Sequence, residues 1–119
     1  MRYIKGYAAG AAVAGKRFAK FSAADTIVQA AASTDLIVGV TDLGGSAGDM
    51  IDVTLLGPAK IVCGGAVARG QKLTADADGK AIAAAPAAGV NAQTGAIALS
   101  SGVAGDIIDV IVLPGAVQG

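Results

Sequence analysis

The 119-residue sequence contains no histidine and no tryptophan, and all nine of its acidic residues are aspartate, so glutamate is missing too. Histidine is the side chain that titrates near neutral pH and the commonest nitrogen ligand for zinc or copper. Its absence removes the usual general base and the usual metal site together. Without glutamate an EF-hand loop has no bidentate ligand for its twelfth position. The one cysteine, Cys63, can form neither an internal disulfide nor a cysteine cluster, and its setting in KIVCGG reads as a buried structural thiol. Aromatic residues make up 3% of the chain (Tyr3, Tyr7, Phe18 and Phe21), too few for a platform on which bases or sugars stack.

The serines and threonines are equally unsupported. Thr94, Ser100 and Ser101 have no histidine to activate them. The glycine-rich LGGSAGD at 43–49 has no Lys-Ser/Thr for a phosphate loop, and DADG at 76–79 lacks the further acidic positions of a calcium loop. Lys80, the nearest candidate for a biotin- or lipoyl-bearing lysine, lacks the flanking residues of such a site. No residue qualifies as catalytic, cofactor-binding or metal-binding, and the chain is expected to work without a cofactor and not as an enzyme.

Hydrophobic residues make up 54% of the chain, many of them alanine, and 18 residues are glycine. This length suits one domain, 1–119, with a modest core that partner subunits would help complete. Charge is uneven. Residues 1–24 carry Arg2, Lys5, Lys16, Arg17 and Lys20 with no acid, whereas the remainder sets Lys60, Arg69, Lys72 and Lys80 against all nine aspartates. So few charges with so few aromatics do not make a nucleic-acid surface; the basic N-terminal segment, with residues 1–7 as an arm, reads instead as docking on an acidic protein surface, its own or a neighbour's. No stretch is long enough to span a bilayer, and neither membrane nor nucleic acid is an expected partner. MRYIKGYAAGAAVAGKRF has the outline of a signal peptide, but glycines interrupt its middle and Lys16-Arg17 follow at once, so it reads as part of the mature fold.

The chain repeats itself. AGDMIDV at 47–53 and AGDIIDV at 104–110 share six of seven residues at an offset of 57. AVAGKRF at 12–18 resembles AVARGQKL at 66–73, and IVGVTDLGGSAGD at 37–49 parallels GAIALSSGVAGD at 95–106. The halves are expected at approximately 8–57 and 60–115. Short Val/Ile runs punctuated by glycine every eight to twelve residues indicate a mainly β fold, a compact barrel or sandwich built from two pseudo-repeated halves with at most short helical turns. Expected strands are 16–22, 26–31, 36–41, 50–56, 59–63, 71–75, 80–84, 95–99 and 106–113. DADGKA at 76–81 reads as a tight hairpin. SAADTIVQAAAS at 22–33 has helix as a competitor, with Ser22 as N-cap, and AVARG at 66–70 could form one helical turn.

Within the repeated motif, Gly48-Asp49 and Gly105-Asp106 read as ordering the turn into each strand. Asp52 and Asp109 lie inside strands, where aspartate is disfavoured. A carboxylate pair for acid–base or metal chemistry is the sharper explanation. Bonding to loop amides or to a cation such as Lys60 is the simpler one, because the residue recurs in both copies. Alternation puts Ile108, Val110 and Val112 on one face of the last strand and Ile107, Asp109 and Ile111 on the other. A strand apolar on both faces is normally covered on both sides, by a second sheet or by a neighbouring subunit.

AAGAAVAGKRF, LIVGVTDLGGSAGDMIDVTLLGPAKI, GGAVARGQKLTADADGKAIAA and AGDIIDVIVLPG together cover most of residues 8–115. In their turns and alternation they resemble the small capsid cement or decoration proteins of tailed phages, which have a duplicated β core; the lack of glutamate is a departure from that pattern. The resemblance implies a homo-oligomer, expected as a trimer. It would be made in the host cytoplasm and stand on the outer surface of the virion, where it binds the major capsid protein and stabilises the shell by bridging capsid subunits. In that setting Arg2, Tyr3, Ile4, Lys5 and Tyr7 of the arm, which could add as a strand to a capsid sheet, and Ile107 and Ile111 of the last strand are the candidate interface residues. The alternative is a non-viral β-type binding module such as a cell-surface adhesin, for which the aromatics are few.

Overall fold

The computed structural model describes residues 3–23, 25–32, 35–84 and 91–118, with side chains over 4–23, 25–32, 35–84 and 93–113. The described residues form nine strands: β1 (Tyr3–Ala9), β2 (Phe18–Ala23), β3 (Thr26–Gln29), β4 (Gly39–Thr41), β5 (Met50–Val62), β6 (Lys72–Ala75), β7 (Ala81–Ala83), β8 (Asn91–Ala98) and β9 (Ile107–Gln118). Among the described residues there is no helix. Within the alanine-rich 22–33 segment, Thr26–Gln29 is strand because β-branched Thr26 and Ile27 pair on both sides, with β2 and with β1, Val28 pairs with β2, and Ile27 is fully buried. Tertiary pairing here outweighs the helix propensity of alanine. AVARG likewise forms no helix: Val67 bridges to Gly102 and a turn joins Ala68 to Gln71.

The first five strands run in the order β1-β3-β2-β4-β5, and β1 also pairs antiparallel with β5, which closes them into a barrel. Closure removes the free edges that a five-stranded sheet would otherwise present. β5 then continues into a second set, ordered β5-β9-β8-β6-β7, and a parallel bridge from Cys63 to Ala81 brings β7 back to the end of β5. The changeover falls at Gly57, where φ is +104°, a value that L side chains rarely adopt.

The bonding of the first set recurs in the second. Ala9 pairs in parallel with Ile27, and Cys63 does so with Ala81. Val13 bridges Gly45, and Val67 bridges Gly102. The Ala9 amide donates to Asp49 O at 2.8 Å, and the Cys63 amide to Asp106 O at 2.7 Å. The Lys16 amide donates to Thr41 O, and the Gly70 amide to Ala98 O. Left-handed backbone follows the same rule, at Lys16 and Gly70, Asp25 and Gly79, and Gly48 and Gly105.

Two apolar clusters fill this framework. Tyr7, Ala9, Val13, Ala19, Ile27, Ile51 and Val53 fill the closed barrel. The other cluster centres on Ile61, Leu73, Val110 and Val112, and takes in Phe18, Ile37 and Val40 from the first set of strands. Phe18 is therefore the largest of the side chains that join the two halves. A Cβ built on Gly95 would lie 2.6 Å from both the Phe18 ring and Ile37, so β8 needs glycine there for the ring to fit. The 76–80 loop clasps the same site from outside. The Phe18 amide donates to Gly79 O at 2.8 Å, and Gln29 Nε2 donates to Asp78 O at 2.6 Å.

Three expectations need correction. Residues 3–7 of the expected arm belong to the body instead, because Tyr3–Ala9 is β1 and pairs with β5 from Tyr3↔Leu56 to Ala8↔Met50, while residues 1 and 2 lie outside the described residues. Tyr7 is buried with its ring edge-on to Phe21 at 5.2 Å, and so cannot anchor to a capsid. Strands 50–56 and 59–63 are one, because Gly57 and Pro58 bend β5 without ending its pairing: Leu56 pairs with Tyr3, and Gly57 with Val112. The DADGKA hairpin forms, but as a five-residue loop in which Asp76 Oδ1 accepts from the amides of Asp78 and Lys80.

Candidate interaction surface

The repeated AGD turns are held by their own aspartates. Asp49 Oδ2 accepts from the Ser46 amide at 2.8 Å and Asp106 Oδ2 from the Val103 amide at 3.0 Å, while Gly48 and Gly105 take φ of +91° and +90°. Asp76 and Asp35 hold their loops in the same manner. A short carboxylate reaches amides of its own loop, as in Asx turns, which gives a physical reason for a chain whose acids are all aspartate.

Burial alone would raise the pKa of Asp35. The amides of Ala31 and Ala32, together with Lys20 at 3.1 Å, outweigh that and hold its carboxyl below the usual range. A depressed folded-state value means that the stabilisation is complete above the unfolded value of about 3.9 and is lost as pH falls through the folded value. Asp35→Asn is therefore expected to cost about 1 kcal/mol near neutral pH. The gap to wild type should close in acid, as read by urea melts across pH; a gap that stays constant would contradict this.

Asp52 and Asp109 both point outward. Asp109 Oδ1 accepts from Lys60 Nζ at 2.7 Å, with side chains 61% and 62% exposed, so the simpler of the two explanations holds for Asp109. Asp52 lies across from Gly6 on β1. Cys63 is fully buried, and burial, with the Asp106 charge nearby, pushes its thiol pKa up.

The outward side of β9 is apolar and uncovered. Ile108, Val110 and Val112 are buried, while Ile107, Ile111 and Leu113 on the opposite side are 55%, 38% and 50% exposed. Register extends this face over three strands. Ile97, Ile111 and Pro58 form one row, Asp109 and Lys60 the next, and Ile107 and Val62 a third. A groove of ≈ 430 Å³ opens beside the middle row, lined by Thr41, Asp42, Thr54, Pro58, Ala59, Lys60, Leu99 and Asp109. The candidate residues thus separate. Ile107 and Ile111 share this face, whereas Ile4 lies exposed on β1 and Lys5 sits over the Tyr7 ring at 5.3 Å. Arg2 and the side chain of Tyr3 lie outside the described residues. Pro58, Ile97 and Leu113 were not singled out from the sequence; the alternation of Pro58, Lys60 and Val62 along β5 was the available signal.

No protein-family model matches the sequence, and no curated protein matches it. Among solved structures, the chain is similar to the N-terminal base of head fiber protein gp8.5 of bacteriophage phi29. The TM-score is 0.74 with 19% identity, and 100% of each chain is covered. At that identity the likeness is one of fold, and it extends over both sets of strands.

Proposed function

We propose that this protein is a structural component of a bacteriophage virion, seated on the outside of the head as a homo-oligomer, with a structural rather than catalytic role. The observation that carries the reading is the full-length likeness in fold to a head fiber base. It is supported by the apolar three-strand face, which suits adhesion to protein. In this reading the protein decorates the shell, contacts the major capsid protein and stabilises the head by bridging its subunits; a trimer is the expected state. The halves are read as copies of one ancestral unit, supported by the recurrent bridges and turn aspartates.

Co-sedimentation with undecorated shells of the parent phage tests the reading. Saturable binding to intact shells is expected. Absence of binding, with binding to a glycan surface instead, would favour an adhesin.

A further inference from the structure

We propose that the outward face of β8, β9 and the second half of β5 is where a second copy of this chain packs. The proposal deepens the preceding reading by assigning the oligomer a surface. Over Ile107–Leu113, β9 is apolar on both sides except at Asp109, and there the fold buries Ile108, Val110 and Val112 while Ile107, Ile111 and Leu113 stay exposed. The rows of Ile97, Ile111 and Pro58 and of Ile107 and Val62, in which Ile97 and Val62 are half-buried and the others exposed, flank the Lys60–Asp109 ion pair.

The charges favour a copy of the chain over a strongly acidic or basic partner. Lys60 and Asp109 cancel at the centre, Lys72 stands beside Ile97 on β6, and Asp42 lines the groove. The face is thus apolar, neutral overall and bears both signs. When copies meet about a rotation axis, Lys60 of one can face Asp109 of the next, so the surface complements itself. The pair is about 60% exposed in the single chain, where such a contact contributes little. Burial between copies would turn it into a determinant of register.

Light scattering on the purified protein, without shells, tests this. Wild type is expected at a multiple of 11.4 kDa. Ile111→Asp is expected at the single-chain mass with an unchanged circular dichroism spectrum, since the side chain is already part exposed. Lys60→Asp and Asp109→Lys should each lose mass alone, and the double exchange Lys60→Asp/Asp109→Lys should regain it, because it restores opposite charges at every contact between copies. A monomeric wild type, an Ile111→Asp variant of full mass, or a double exchange that stays monomeric would overturn the proposal. A monomeric wild type that still binds shells, and loses binding with Ile111→Asp, would give this face to the capsid: the proposal fails and the virion reading stands. An oligomer that Ile111→Asp dissociates but that binds no shells has the opposite meaning.

Discussion

Phe18→Ala is expected to destabilise the protein by about 3–5 kcal/mol, the range for removing a fully buried aromatic ring. Phe18 is 0% exposed and belongs to the cluster centred on the second set of strands, although it stands on β2 of the first. Its loss leaves a cavity bounded by Gly95 and Ile37, and backbone bonds to Gly79 and Ala30 hold the strand in place, so the site has little freedom to collapse. In a domain of this size each kcal/mol shifts the melting midpoint by roughly 4–8 °C. The expected readout in a thermal melt is a drop of well over ten degrees, with both halves still unfolding together. A drop of only a few degrees would mean that the ring does not join the halves. The position matching Phe18 in the second half is Lys72, which is exposed, and Lys72→Ala is expected to change the midpoint little.

Deleting residues 1–9 is expected to abolish cooperative folding. β1 closes the barrel by pairing with β5 over six positions and with β3 at Ala8 and Ala9, and Tyr7 and Ala9 belong to the barrel core. Without β1, buried Ile51 and Val53 lose the neighbours across the strand, and both β5 and β3 acquire open edges. The loss is comparable to the whole stability of a small domain, about 5–15 kcal/mol. Circular dichroism melts of the truncated chain should show no sharp transition. A truncated chain that melts as sharply as wild type would restore the segment as a dispensable arm.

These two predictions mark where sequence reading succeeds and where it stops. Local patterns were legible: Val/Ile runs between glycines located eight of the nine strands, and the aspartates of the AGD turns bond as their spacing suggested. β1 was missed as part of the body because Lys5 and Gly6 interrupt its alternation and its cation content suggested docking. Burial of Tyr7 arises only from its pairing with Ile51, a partner forty-four residues away in the chain. The join through Phe18 was invisible for a related reason. AVAGKRF and AVARGQKL differ by one residue in length and end on Phe18 and buried Leu73, whereas the backbone bonding matches Lys16 with Gly70 and so Phe18 with exposed Lys72, and nothing local says that one ring crosses to the other half. On the surface side, Ile107 and Ile111 could be picked out because β9 is apolar on both faces. Pro58 and Ile97 join them only through register.

In the proposed role this protein acts as an adhesive cover on a phage head. Heating undecorated shells with and without the protein, and following genome or dye accessibility, tests that most directly. Bound protein is predicted to raise the temperature at which the shells open, and Ile111→Asp to weaken the effect. Shells that open at the same temperature whether or not they carry the protein would contradict it.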